Sequence, residues 1–169
     1  MRSGSGERGF TYVAVLIGAA TLAAALGVAA QVYSQSAQRE KEAELLFVGN
    51  QYRDAITAYY ERSPGGAKRY PQKLDDLLED KRYPNVVRHL RRLYADPLTG
   101  KPLQALEAPS GGVMGVFSPS EAAPIKRAGF RPRDEALADA EKYSDWKFSY
   151  SPPGLRSSQP GNNTSGPAK

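Results

Sequence analysis

Cysteine is absent from the 169 residues, and the one histidine is His89. The missing thiols exclude disulfides, thiolate metal sites, a cysteine nucleophile and a lipidated cysteine anchor. With a single histidine, no nucleophile, base and orienting acid can be grouped into a catalytic set. We therefore expect no enzymatic activity, no cofactor and no metal site.

Charge is missing from one long stretch, since no Asp, Glu, Lys or Arg occurs between Arg8 and Arg39. Residues 10–32 are apolar, and about 20 such residues are enough to cross a bilayer as a helix. Arg2 and Arg8 precede the stretch, which favours a cytoplasmic amino terminus. The net charge is only +5, and the Lys and Arg residues are interleaved with acidic residues along the chain. Nucleic acid is therefore not an expected partner.

A cleaved secretory signal is the alternative interpretation of this stretch. Small residues at 28–30 suit a signal peptidase, and the mature chain would then begin at Gln31. Against it, the apolar run exceeds the usual h-region of about 7–15 residues. The helical pattern also continues past the cleavage point, so we favour a membrane anchor.

Proline is absent from Phe10 to Ser63, which predicts one continuous helix over residues 10–62. Gly49 and Asn50 weaken its middle and allow a bend there. In the second half, apolar residues recur at intervals of three and four and should pack on a globular domain. They are Leu45, Val48, Tyr52, Ala55, Ile56 and Tyr59. The charged residues expected on the exposed face are Glu44, Arg53, Asp54 and Glu61.

Residues 63–150 are expected to form a small globular domain. Spacing predicts short helices over residues 74–78, 85–93 and 135–143, the last within a long loop. The residue types from Asp96 to Gly100 predict a turn. Strands are expected at residues 102–106, 112–118 and 146–150. The fold class is thus α+β, and residues 151–169, rich in Ser, Pro, Gly and Asn, are predicted to be a disordered tail.

The charged residues between 81 and 92 admit more than one interpretation. A lone histidine among arginines, as His89 is, should be a solvated surface residue. The cations near it have two possible roles. They form a basic patch that binds an acidic partner or lipid head groups, or they form a solvated face beside the acidic run at residues 75–80. These cations are Lys81, Arg82, Arg88, Arg91 and Arg92.

The junction before the apolar helix resembles the processing site of type IV prepilins and type II secretion system pseudopilins. Its residues are Arg8, Gly9, Phe10 and Thr11. In that family prepilin peptidase cuts after the glycine, here Gly9, and methylates the new amino terminus, here Phe10. The resemblance implies that residues 1–9 are a leader. It also implies partners in other pseudopilin or pilin subunits and in inner membrane lipid.

Downstream segments resemble the major-pseudopilin branch of type II secretion. They are Tyr70-Pro71, residues 74–80, the turn at residues 96–100 and a late aromatic strand. The resemblance implies a pilin-like fold, with the long transmembrane helix packed on a small antiparallel sheet. It also implies a single-pass protein of the bacterial inner membrane, whose domain lies in the periplasm and serves protein secretion.

Two positions depart from the family pattern. The fifth residue of the mature family helix is usually Glu, which pairs with a neighbouring subunit's amino terminus, whereas here it is Ala14. This implies a minor or accessory subunit. Major pseudopilins bind calcium in a late loop with several Asp, but residues 118–127 here supply only Glu121, so we expect no calcium site. The alternative function is a membrane-tethered or secreted periplasmic binding domain with an ordinary signal or anchor.

Overall fold

The structure is a computed structural model that describes residues 6–152, with side chains from Tyr12 onward except at 28–30. Helix α1 comprises Gly6–Glu61. Three strands follow, β1 at Gln104–Glu107, β2 at Val113–Phe117 and β3 at Phe148–Ser149. Short 3₁₀ helices lie in the connections, at Pro64–Gly66, Leu74–Leu77, Pro132–Leu137 and Tyr143–Asp145. Beyond Pro152, the predicted tail lies outside the described residues.

Helix α1 is continuous, as predicted. Its 56 residues would extend about 84 Å at 1.5 Å per residue. The backbone stays helical through Gly49 and Asn50, so the weak residue types there do not interrupt it. The helix ends just before the Pro-Gly-Gly segment, where Gly65 takes a φ of 73° that is open to glycine.

The three strands form one antiparallel sheet in the order β1-β2-β3. Gln104 of β1 pairs with Phe117 of β2, and Val116 of β2 pairs with Phe148 of β3. Strand β3 is shorter than predicted because Trp146 still belongs to the 3₁₀ turn before it. The second half of α1 packs on β2 and β3, which confirms the α+β class.

The core lies between this sheet and the second half of α1. Each apolar residue predicted to pack from the helix is buried, from Leu45 to Tyr59. They meet three aromatic side chains near the carboxyl end of the domain, Tyr143, Trp146 and Phe148, which are at most 1% exposed. Burial of these large aromatics therefore joins the second half of α1 and the carboxyl end of the domain into one core.

No helix forms over residues 85–93, so that prediction is wrong. The backbone there pairs with the preceding chain instead: the Asp80 N–H donates to the Val87 carbonyl and the Leu90 N–H to the Leu77 carbonyl, both at 2.9 Å. Of the apolar residues whose spacing indicated a helix, only Leu90 is fully buried. Tertiary pairing thus outweighs a local pattern whose apolar face has nothing to pack against.

The connection between β2 and β3, residues 118–147, is the late loop. It contains two 3₁₀ helices in place of the single helix predicted at 135–143. The turn predicted at residues 96–100 is confirmed, since the Gly100 N–H donates to the Asp96 carbonyl at 2.8 Å. The Asp96 carboxylate is fully buried and accepts hydrogen bonds from Thr99 at 2.7 Å and Ser118 at 2.9 Å. This turn therefore connects to the strand after it as well as closing itself.

Candidate membrane anchor and interaction surfaces

The side chains that the structure describes in the first half of α1 are exposed. Residues 12–27 and 31–36 are all exposed. An 18-residue window in this region has a mean hydropathy of 2.3 and none of it is buried. Among the residues that the structure describes, it is the one helix long and apolar enough to cross a membrane. Its exposure separates it from the buried core helix of a soluble protein, which leaves a membrane span or a signal sequence.

The residues of the processing motif lie at the start of this helix. Gly9 and Phe10 are within α1, directly before the exposed apolar stretch. Ala14 is exposed on that stretch and adds methyl surface to it. Thr21 of this stretch is satisfied locally, because its Oγ1 donates to the Gly18 carbonyl at 2.9 Å. Cleavage after Gly9 remains a prediction.

Glu42 fastens the late loop to the helix just beyond the apolar stretch. Its carboxylate is 2% exposed. It accepts hydrogen bonds from the Tyr143 hydroxyl at 2.8 Å and from the backbone N–H groups of Ile125 and Lys126 at 2.5 and 3.2 Å. Burial raises the pKa of Tyr143 to about 12, and the bond to Glu42 adds to the rise. The sequence pattern gave no signal that separates Glu42 from the exposed glutamates beside it.

A second fastening involves Arg53, which was predicted to be exposed. Its side chain is only 14% exposed, because its Nη1 pairs with Asp134 Oδ1 at 2.6 Å and its guanidinium lies over the Phe148 ring. Asn50 also donates to Asp134 at 3.1 Å. The Asp134 carboxylate thus has two donors, and their hydrogen bonds offset the desolvation cost of its burial.

The segment at residues 118–127, for which no calcium site is expected, is held by the hydrogen bonds from Ile125 and Lys126 to Glu42. Its single carboxylate, Glu121, pairs with Lys142 at 2.6 Å on the surface. In the described part of the chain, no three His, Cys, Asp or Glu residues are grouped as metal ligands. Independence from calcium stays a prediction.

His89 is buried, so its prediction as a solvated residue is wrong. Its side chain is 1% exposed, and its Nε2 lies 3.0 Å from Asp80 Oδ2. Arg82 Nη2 lies 2.7 Å from the same carboxylate oxygen. The Tyr59 ring completes the cluster, with the Arg82 guanidinium 3.5 Å from its centroid and the His89 ring edge-on at 5.4 Å. The lone histidine is therefore a structural partner of a buried carboxylate.

Charge and hydrogen bonding set the ionisation of this cluster. Burial by itself raises the pKa of Asp80, but the hydrogen bonds from Arg82 and His89 outweigh burial. Together with the Arg82 charge they lower the pKa of Asp80 from 3.8 to about 2. Asp80 is therefore ionised in the folded protein at any physiological pH.

No protein-family model, curated protein or solved structure matches this chain. Its surfaces are therefore interpreted from their own residues. The structure divides the basic residues predicted as one group. Arg82 belongs to the buried cluster, whereas Lys81, Arg88, Arg91 and Arg92 are exposed, and Arg92 lies over the Tyr94 ring at 4.9 Å.

Proposed function

We propose that the chain is a pseudopilin-like structural subunit of a type II secretion system or type IV pilus. One observation carries the proposal: a single helix is exposed and apolar in its first half and forms the core of a small domain in its second half. The Gly9-Phe10 pair precedes the apolar half directly. The first half would lie in the bacterial inner membrane, with the amino terminus cytoplasmic and the domain in the periplasm.

The continuity of α1 supports a helix that the mature protein keeps. Prepilin peptidase removes a polar leader and leaves the apolar helix attached to its domain. That helix can then pack beside the helices of other subunits, first in lipid and then in a filament. The exposed side chains from Tyr12 to Tyr33 provide the apolar surface that such packing needs.

Ala14 supports a minor or accessory role. A glutamate at this place would be a buried charge that needs the amino terminus of a neighbour as its partner. Without it, the helix packs through apolar contacts alone and offers no such pairing to a second copy. We therefore expect the wild-type protein, overproduced without other pseudopilins, to form no filaments. Electron microscopy and immunoblots of sheared cell-surface fractions would check this, and abundant homopolymers would contradict a minor role.

The processing step is tested by changing Gly9. In cells that contain prepilin peptidase, Gly9→Leu should leave a longer precursor that remains in the membrane fraction, because the apolar span is unchanged. Gly18→Ala is the matched control, since a Cβ at Gly18 meets nothing within 4 Å. A Gly9→Leu protein processed to the same size as wild type would contradict the proposal and support an ordinary signal sequence.

A further inference from the structure

The exposed arginines lie beside exposed apolar side chains. Among the described side chains beyond residue 33, the large apolar ones left exposed are Phe47, Val86 and Leu93, at 60%, 68% and 42%. Val86 and Leu93 flank Arg88 and Arg91 in the same irregular segment. Exposed apolar and cationic side chains interleaved in one short segment are typical of an interaction surface.

The helix contributes the other side of this surface. Arg88 and Arg91 line a hollow together with Gln51 of α1 and Tyr94. Phe47 lies four residues before Gln51, so the two are neighbours on the same helix face. The apolar ring of Phe47 therefore stands one helical turn from the hollow that the arginines border.

The segment that carries the arginines is held in place from below. Val86 and Arg88 are exposed, whereas His89 is buried against Asp80. The Leu77 carbonyl accepts hydrogen bonds from both the His89 and Leu90 N–H groups at 2.9 Å. A segment without helix or strand is thus fixed by buried contacts. Its arginines are therefore presented on a preorganised backbone, which lowers the entropy cost of binding.

Arg88 and Arg91 are not paired with any acidic residue that the structure describes. Among the ion pairs of the described residues, none includes Arg88 or Arg91. Guanidinium groups bind carboxylates in a bidentate manner, and they stay charged at every physiological pH. Their complement is a partner rich in carboxylates.

We propose that Phe47, Val86, Arg88, Arg91 and Leu93, which we name the arginine patch, bind an acidic segment of a partner protein that also carries apolar side chains. The carboxylates would pair with the arginines, and the apolar side chains would cover Phe47, Val86 and Leu93. The proposal goes beyond the proposed function, since it requires neither cleavage at Gly9 nor assembly into a filament.

Lipid head groups are a poorer match for the patch. Gln51 lies 19 residues after Val32, the last residue of the predicted span, which is about 28 Å along the helix. The electrostatic reach of an anionic membrane is about 8–10 Å at physiological salt. With the span in the membrane, the arginine patch stands well beyond that reach.

The acidic run of a second copy of the chain, at residues 75–80, also complements the patch poorly. This run is flanked by Lys73 and Lys81, and the Asp80 carboxylate is buried. Asp76 already accepts hydrogen bonds from the backbone N–H groups of Gln72 and Lys73. Of this run, only Asp75 and Glu79 are exposed, and Lys73 and Lys81 on either side would repel the arginines.

The test uses the full chain in a zwitterionic detergent and a labelled synthetic peptide that alternates Glu or Asp with Leu or Phe. Fluorescence anisotropy should show binding that weakens with added salt. The counterpart peptide with Gln and Asn should bind at least about tenfold more weakly. The double variant Arg88→Gln/Arg91→Gln should bind the acidic peptide about tenfold more weakly than the wild type. The double variant Arg88→Lys/Arg91→Lys should retain part of the affinity.

The matched control is Arg69→Gln/Arg131→Gln, which removes the same charge from exposed arginines elsewhere and should keep wild-type affinity. Phe47→Ser should weaken binding without changing its dependence on salt. Equal binding of the acidic and neutral peptides, or equal loss in both arginine double variants, would overturn the proposal. The proposal would also be overturned if the protein bound anionic vesicles, or associated with itself, through Arg88 and Arg91 while the acidic peptide did not bind.

Discussion

Four carboxylates are buried in this small domain, and each has several donors. They are Glu42, Asp80, Asp96 and Asp134, at most 4% exposed. A buried carboxylate without donors would cost several kcal/mol and would neutralise itself. Each of the four carboxylates connects segments that are distant in sequence or shapes a turn. Their hydrogen bonds therefore add order that the small apolar core cannot supply alone.

Asp80 makes stability depend on pH in acid. Its pKa is lowered from 3.8 to about 2 in the folded protein. The stabilisation is thus fully present above about pH 4 and is lost as the pH falls to about 2, a change of about 2 kcal/mol. Denaturant unfolding of the wild type between pH 5 and pH 2, compared with Asp80→Asn, measures this contribution.

At neutral pH, Asp80→Asn should lower the free energy of unfolding by about 3 kcal/mol, because Arg82 and His89 lose their carboxylate. The gap between the two proteins should narrow as the pH falls. Parallel pH profiles would show that Asp80 does not carry the charge assigned to it.

At the scale of elements, the contact between α1 and β3 depends on one glycine. Gly49 is buried in the middle of the helix, and a Cβ there would overlap the Phe148 ring. Phe148 is fully buried and pairs with β2, so it has little freedom to move. The helix thus accepts a residue of low helix propensity in return for close packing on the sheet.

We predict that Gly49→Ala lowers the free energy of unfolding by about 1 kcal/mol. Overpacking costs about 1–3 kcal/mol, and the better helix propensity of alanine recovers up to about 1 kcal/mol. Denaturant unfolding checks the sign. In a Phe148→Leu background the same change should cost nothing, because leucine leaves room, and an equal loss in both backgrounds would contradict the account.

The elements also show which sequence signals are sufficient. The long helix was predicted because no proline interrupts it, and its buried stripe because apolar residues from Leu45 to Tyr59 recur at intervals of three and four. The strands were placed to within a few residues by alternation and turn residues. Residues 85–93 and His89 were predicted wrongly, since their state depends on Asp80 and Leu77, which periodicity does not report. The contacts by which Glu42 and Asp134 connect α1 to the late loop were not predicted, for the same reason.

For the whole molecule, α1 has two different surroundings. Its second half is enclosed by the sheet and the late loop, whereas its first half is exposed and apolar. Exposure of so long an apolar helix to water is unfavourable, and we expect lipid or other helices to cover it. Under the proposed function, the domain lies at the end of a membrane anchor, so removal of a short leader, rather than of the helix, is the central claim.

The mass of the amino-terminal peptide tests that claim most directly. The protein is purified from cells that contain prepilin peptidase, and its amino-terminal peptide is sequenced by mass spectrometry. We predict a mature chain that begins at Phe10 and carries an N-methyl group. A mature chain that begins at Gln31 would identify the apolar stretch as an ordinary secretory signal and would contradict the pseudopilin account.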